Sequence, residues 1–188
     1  MKITTKELTL TAMFAALMIV GAFIKIDIPL PLYTMHFTLQ WLFVLLAGLL
    51  LGSKLGALSV IVYLALGLIG LPVFAAGGGI GYILRPGFGF LLGFAFAAYL
   101  MGLICEKAKS NSFPIQLLAA TVGLIVYYTV GAIYFYMIKN FYAGDYVTWP
   151  VVIVQYCLIT VIPDFILCVL AVTVSAKVRV PFRAIIER

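Results

Sequence analysis

The sequence predicts an all-α integral membrane protein of six transmembrane helices, and three observations carry that expectation. The 188 residues are 65% hydrophobic and 10% charged, with a mean hydropathy of +1.23. A soluble domain is nearer half apolar and a quarter charged, so there is too little polar surface here to coat a globule. Long runs such as "LQWLFVLLAGLLL" lack the period-two alternation of barrel strands. In hydrocarbon the backbone must satisfy itself within each segment, which leaves helices. Finally, the basic residues gather in every second connection. The length is that of one domain, residues 1–188.

The spans follow in order, each judged against the roughly 20 apolar residues that cross a bilayer. The first is Leu8–Ile24. Its basic start could pass for a signal peptide, but five further spans follow and it is long enough to cross, so a retained helix is expected. Leu39–Leu51 and Leu55–Leu71 are short and separated only by "GSK", which predicts a tight helical hairpin. Phe88–Ile104, Ile115–Ile138 and Val151–Ala176 complete the set. Gly48, Gly52 and Gly56 recur every four residues, as do Gly89 and Gly93, and Ala12 and Ala16. Small residues at that spacing let helix backbones approach closely.

Six crossings put both termini on one side. Lys2, Lys6, Lys54, Lys107, Lys109, Lys177, Arg179, Arg183 and Arg188 lie at the termini and in the even-numbered connections, nine of the twelve basic residues. The positive-inside rule then places both termini in the cytoplasm and leaves Lys25, Arg85 and Lys139 outside. The net charge of +6 is a topology signal. It gives no basic patch for nucleic acid.

A few polar groups stand against this apolar background. Asp164 sits in "VIPDFILC", mid-span, where a carboxylate costs about 2.5–3.5 kcal/mol to insert. No lysine or arginine lies within two turns on its own helix, so an acceptor for a ligand's N–H groups is the expected role. A hydrogen-bonded structural aspartate is the bland alternative. Pro163 before it frees a backbone carbonyl one turn back. Arg85 follows "GGGIGYIL" near the outer mouth of the fourth span, where its planar fork suits a carboxylate; an interfacial anchor is the alternative. Gly77, Gly78, Gly79 and Gly81 permit a tight turn or backbone close to a ligand. Most tyrosines belong at the interfaces, while Tyr128 and Tyr156 are candidate cavity residues with Thr38 and Gln40 of "HFTLQ".

Other chemistries find little support. There is no phosphate-binding loop, because no lysine-serine or lysine-threonine pair follows the glycines. Cys105, Cys157 and Cys168 stand apart and His36 is the only histidine, so neither a metal nor a cofactor is expected. No serine–histidine pair or second intramembrane acid supports a hydrolase. A buried acid and an outer base suit binding of a small molecule with N–H donors at one end and an anion at the other.

"TAMFAALMIVGA", "FTLQWLFVLLAGLLLGSKLGALS", "LGLIGLPVFAAGGGIGYILRPGFGFLLGF" and "IPD" together resemble the BioY family, most specifically over residues 8–106. These are biotin-specific substrate-binding (S) components of energy-coupling factor transporters. The resemblance implies a six-helix S-component fold that captures biotin from the outer side. A transmembrane coupling subunit and two cytoplasmic ATPases would supply the energy. It implies a substrate site of Asp164, Arg85, Tyr82, Gln40, Thr38, Gly78, Gly79, Tyr128 and Tyr156. Asp164 would meet the ureido N–H groups, Arg85 the valerate carboxylate, and the glycines would close as a lid. Ala12, Ala15 and Ala16 hold the places that dock the coupling subunit. One departure stands out: Leu167 occupies a place where the family pattern has lysine. A related ring-bearing carboxylic acid, lipoate or a biotin precursor, is therefore an open alternative, as is a membrane enzyme using Asp164 or a purely structural subunit.

Overall fold

Thr4 starts the first helix with a reciprocal cap. Its hydroxyl oxygen accepts the Glu7 N–H at 3.3 Å while its own N–H donates to the Glu7 carboxylate at 2.8 Å. Two backbone donors of the first turn are thus satisfied. The structure, a computed structural model, describes residues 4–30 and 34–186, with side chains as far as residue 178. Of the charges behind the expected orientation, Lys2 and Arg188 lie outside the described residues, as do the side chains of Arg179 and Arg183.

Helix α1 (Thr5–Phe23) buries Thr11, Phe14, Ala15, Met18, Gly21 and Ala22. Its end passes close to the next helix: a Cβ on Gly21 would meet the Gln40 backbone nitrogen at 2.9 Å. Between the two lies a small antiparallel pair, β1 (Lys25–Ile28) and β2 (Met35–Thr38), with Asp27 opposite His36. This pair is not legible in the sequence, because four-residue strands hold too few alternations to stand out.

Helix α2 (Gln40–Leu68) has 29 residues and would span about 44 Å if straight. It is bent double instead. Gly52 takes φ 83°, ψ −173°, a backbone region that glycine reaches without steric cost. The Gln40 side-chain amide donates to the Tyr63 hydroxyl, and a Cβ on Gly56 would lie 2.9 Å from the Gly48 Cα. In a straight helix those pairs would be roughly 35 and 12 Å apart. The expected hairpin is therefore present, with arms at 40–51 and 53–68 and a turn of essentially one residue. Glu106 locks it: the Ser53 N–H and hydroxyl donate to its carboxylate at 2.7 and 2.8 Å.

Beyond a glycine-rich loop and a 3-10 turn (Ile80–Leu84) run α3 (Phe88–Ala108) and α4 (Phe113–Met137). Pro114 sits in the first turn of α4, where its missing N–H costs nothing. A π-helical turn (Ile138–Ala143) extends α4. The last segment is α5 (Trp149–Ile153), a π-helical stretch (Val154–Leu158) and α6 (Ile159–Ile186).

Glycines set the spacing between these helices. A Cβ on Gly48 would meet the Ala98 carbonyl oxygen at 2.9 Å, one on Gly93 the Tyr127 carbonyl oxygen at 2.8 Å, and one on Gly102 the Ser53 nitrogen at 2.2 Å. Such contacts between backbones hold helices together where lipid removes the hydrophobic drive. The larger apolar cluster joins α1, both arms of α2, α3, α4 and α6.

Among the described residues, five segments are long and apolar enough to cross a bilayer: Thr5–Phe23, Gln40–Leu68, Phe88–Ala108, Phe113–Ala143 and Trp149–Val178. The six expected runs become five because the second and third are arms of one segment. At about 18 and 24 Å, each arm is shorter than the roughly 30 Å hydrocarbon core.

Candidate functional site

Tyr156, Thr160 and Asp164 stand four residues apart near the start of the last segment, a spacing that aligns side chains along one helix face. Asp164 is only 2% exposed. The Tyr128 hydroxyl of α4 donates to its Oδ2 at 2.6 Å. Tyr128 also bonds Thr160 Oγ1 at 2.8 Å. A phenol has one proton, so Thr160 is the donor of that second bond. Asp164 is thus engaged from one side by a short hydroxyl relay.

Its other side lines a cavity. The hollow is about 80 Å³, several times the 10–15 Å³ that a single water requires, so it is a site rather than a packing defect. Aromatic rings form its walls. Trp41 stacks on Tyr127 with centroids 4.9 Å apart, Phe94 lies 5.0 Å from Tyr127, and Phe135 lies 4.2 Å from Tyr156. Each ring is held by another, giving a rigid apolar box with a few polar groups, the usual make-up of a small-molecule pocket.

Met35, His36 and Phe37 of β2 and the loop residues Ala75 and Gly87 also line it. A polar clasp joins the two loops there. Lys25 Nζ donates to the Ala75 carbonyl at 2.8 Å and pairs with Asp27 at 3.2 Å, while Asp27 Oδ1 meets His36 Nδ1 at 2.6 Å. The His36 hydrogen bond, followed by Lys25, holds the Asp27 carboxyl below the usual carboxylate range. Tyr134 ties the 3-10 turn to α4 by donating to the Ile83 carbonyl.

Of the residues expected at the site, Asp164, Tyr82, Gln40, Thr38 and Tyr156 line the cavity. The Thr38 hydroxyl donates to Gln40 Oε1 at 3.1 Å, which fixes that amide. Tyr128 stands behind Asp164 rather than in the lining.

Four of the expected residues lie outside the cavity lining or off the outward face of α1. Arg85 is exposed and outside the lining, its guanidinium 5.0 Å from the centre of the Tyr82 ring and so one ring's thickness from the cavity. Gly78 and Gly79 do not line the cavity either; they shape the loop. A Cβ on Gly78 would fall 2.0 Å from the Leu71 carbonyl oxygen, and the Gly79 N–H donates to the Gly67 carbonyl at 2.7 Å. Ala15 is 2% exposed and faces the bundle, whereas Ala12 and Ala16 face outward, since a one-residue step turns a helix by about 100°.

Sequence reasoning missed His36, Trp41, Tyr127 and Thr160 as lining residues. Thr160 was findable, four residues before Asp164. Leu167 is buried in the apolar core and is not part of the lining.

Comparison with known proteins agrees with this architecture. The family model described as "BioY family" matches residues 1–184. A protein of Lysinibacillus sphaericus named as a probable biotin transporter BioY is 40% identical over 181 residues, covering 96% of this chain and 90% of its own. One from Pyrococcus horikoshii bearing the same name is 44% identical over 128 residues, covering 67% and 72%. Among solved structures, the S-component for biotin from an ECF-type ABC transporter superposes with a TM-score of 0.81 at 30% identity, covering 93% of this chain and 90% of that one.

Proposed function

The chain belongs to the BioY family, matched from residue 1 to 184, and on that premise we propose that it is the substrate-capture component of an energy-coupling factor importer in the cell membrane, taking up biotin from the outer face. The family is one of transporter components rather than enzymes. One observation carries the reading: a carboxylate at 2% exposure, satisfied on one oxygen by Tyr128, is turned toward an aromatic hollow. A cyclic urea offers N–H donors to such an acceptor, and the ring system of biotin suits walls of Trp41, Phe94 and Tyr127.

Both arms of α2 cross, which gives six transmembrane helices with N- and C-termini in the cytoplasm. The β1–β2 clasp and the glycine-rich loop then cover the outer mouth of the cavity. Arg85, at the rim beside Tyr82, meets the valerate carboxylate. A transmembrane coupling subunit docks on the outward face of α1 at Ala12 and Ala16, and two cytoplasmic ATPases drive release.

The test is calorimetric titration of the purified chain alone. One-to-one biotin binding in the nanomolar range, with lipoate binding at least a hundredfold more weakly, is the expected result. Absence of biotin binding at micromolar concentration would overturn the reading.

A further inference from the structure

Tyr127 is 8% exposed and lines the cavity. Its ring is clamped by Trp41, Phe90, Phe94 and Tyr128, with centroid separations of 4.9, 5.6, 5.0 and 4.6 Å. Four ring neighbours pack around the side chain. Its hydroxyl nevertheless makes no hydrogen bond among the described residues, and it is not sealed off among the buried unpaired atoms, so it opens on the hollow. A phenol O–H set in an apolar wall without a protein partner is left free to donate to whatever occupies the hollow. The Asp164 carboxylate lies within electrostatic reach of the same hydroxyl.

A fixed acceptor and a fixed donor therefore face one small space. Asp164 takes N–H groups, and Tyr127 offers an O–H. We propose that Tyr127 is a ligand-binding residue, donating its hydroxyl proton to the carbonyl oxygen of the head group whose N–H groups Asp164 accepts. This deepens the functional reading above and rests on it. It also supplies the carbonyl with a donor in a site where Leu167 offers none. The fixed pair selects a ring that carries a carbonyl next to N–H, which lipoate does not.

The experiment measures affinities of the wild type and Tyr127→Phe for biotin and for its thio analogue, in which the urea oxygen is replaced by sulfur, a poor acceptor. The substitution removes one oxygen and keeps the ring, so the aromatic clamp survives. Biotin affinity should fall about tenfold, as for one neutral hydrogen bond, while affinity for the thio analogue changes less than twofold. Equal losses for both ligands would mean a merely structural hydroxyl, and no loss for either would mean an unused one; both overturn the inference and leave the functional reading standing. A wild-type chain that binds neither ligand would remove the inference and the reading under it together.

Discussion

An acid at bilayer depth is tolerated where something offsets its insertion cost, and at Asp164 the protein supplies only half of what is needed. Tyr128 covers Oδ2, and the remaining capacity faces the hollow. Asp164→Asn keeps the shape but replaces the charged acceptor, so biotin affinity should fall by about 1.5–3 kcal/mol, ten- to a hundredfold, the cost of one charge-assisted hydrogen bond. Calorimetry reads it directly, and an unchanged affinity would remove Asp164 from the site. Asp27 gives a second test at this scale, in pH. Its carboxyl is held low by His36 and Lys25. A group whose folded value is depressed contributes stability above its unfolded value, near 4, and loses it as pH falls through the folded value. Protection of the β1–β2 amides, with the intrinsic pH dependence of exchange divided out, should therefore hold above the unfolded value near 4 and fall as the pH drops below it. Replacing Asp27 by Asn should abolish that acid limb. Asp164 was legible in the sequence because an acid in an apolar run has no bland background to hide in. Tyr127 was not, because membrane tyrosines are common at interfaces and only the fold separates a wall from a girdle.

The elements were legible where composition changes sharply. Two short apolar runs around "GSK" announced the hairpin, whereas the glycines at 48 and 56, read as a four-residue packing repeat, meet each other across it. The β1–β2 pair and the two π-helical stretches were not, since both depend on a few residues whose geometry is set by neighbours distant in sequence. Glu106 is the clearest example: nothing in its own segment announces a partner, yet it accepts the Ser53 N–H that the Gly52 turn leaves free. The turn is also where α3 packs most closely, with Gly102 against the Ser53 backbone. Gly102→Ala would force apart two backbones that have no flexible end to yield, at a cost of about 1–3 kcal/mol. A lowered melting temperature of the detergent-solubilised protein is expected, with the stoichiometry of biotin binding unchanged because the cavity lies at the other end of the hairpin. A melting temperature equal to that of the wild type would show that α3 is not seated against the turn.

Across the whole molecule, one end carries the clasp, the glycine-rich loop and the cavity, while the Gly52 turn and Glu106 lie at the other. An importer of this kind must pass its load between those ends, and the chain has no phosphate-binding loop with which to drive the passage. On the function proposed above, the work enters through a surface on which a coupling subunit docks. On α1 the outward stripe runs Leu8, Ala12, Ala16 and Val20, four residues apart, with two small residues set between side chains 59% and 52% exposed. The notch is shallow enough for another helix to lie in contact with the backbone, and nothing among the described residues fills it. Ala16→Leu closes the notch with a side chain that faces lipid as comfortably as alanine does, so the isolated protein should fold and bind biotin as the wild type does. Biotin uptake by cells expressing it with the coupling subunit and ATPases should fall at least tenfold, and the subunits should fail to co-purify. Because the substitution lies on the opposite face of α1 from Phe14 and Met18, which pack inward, intact uptake would mean that the coupling subunit grips some other face of the bundle.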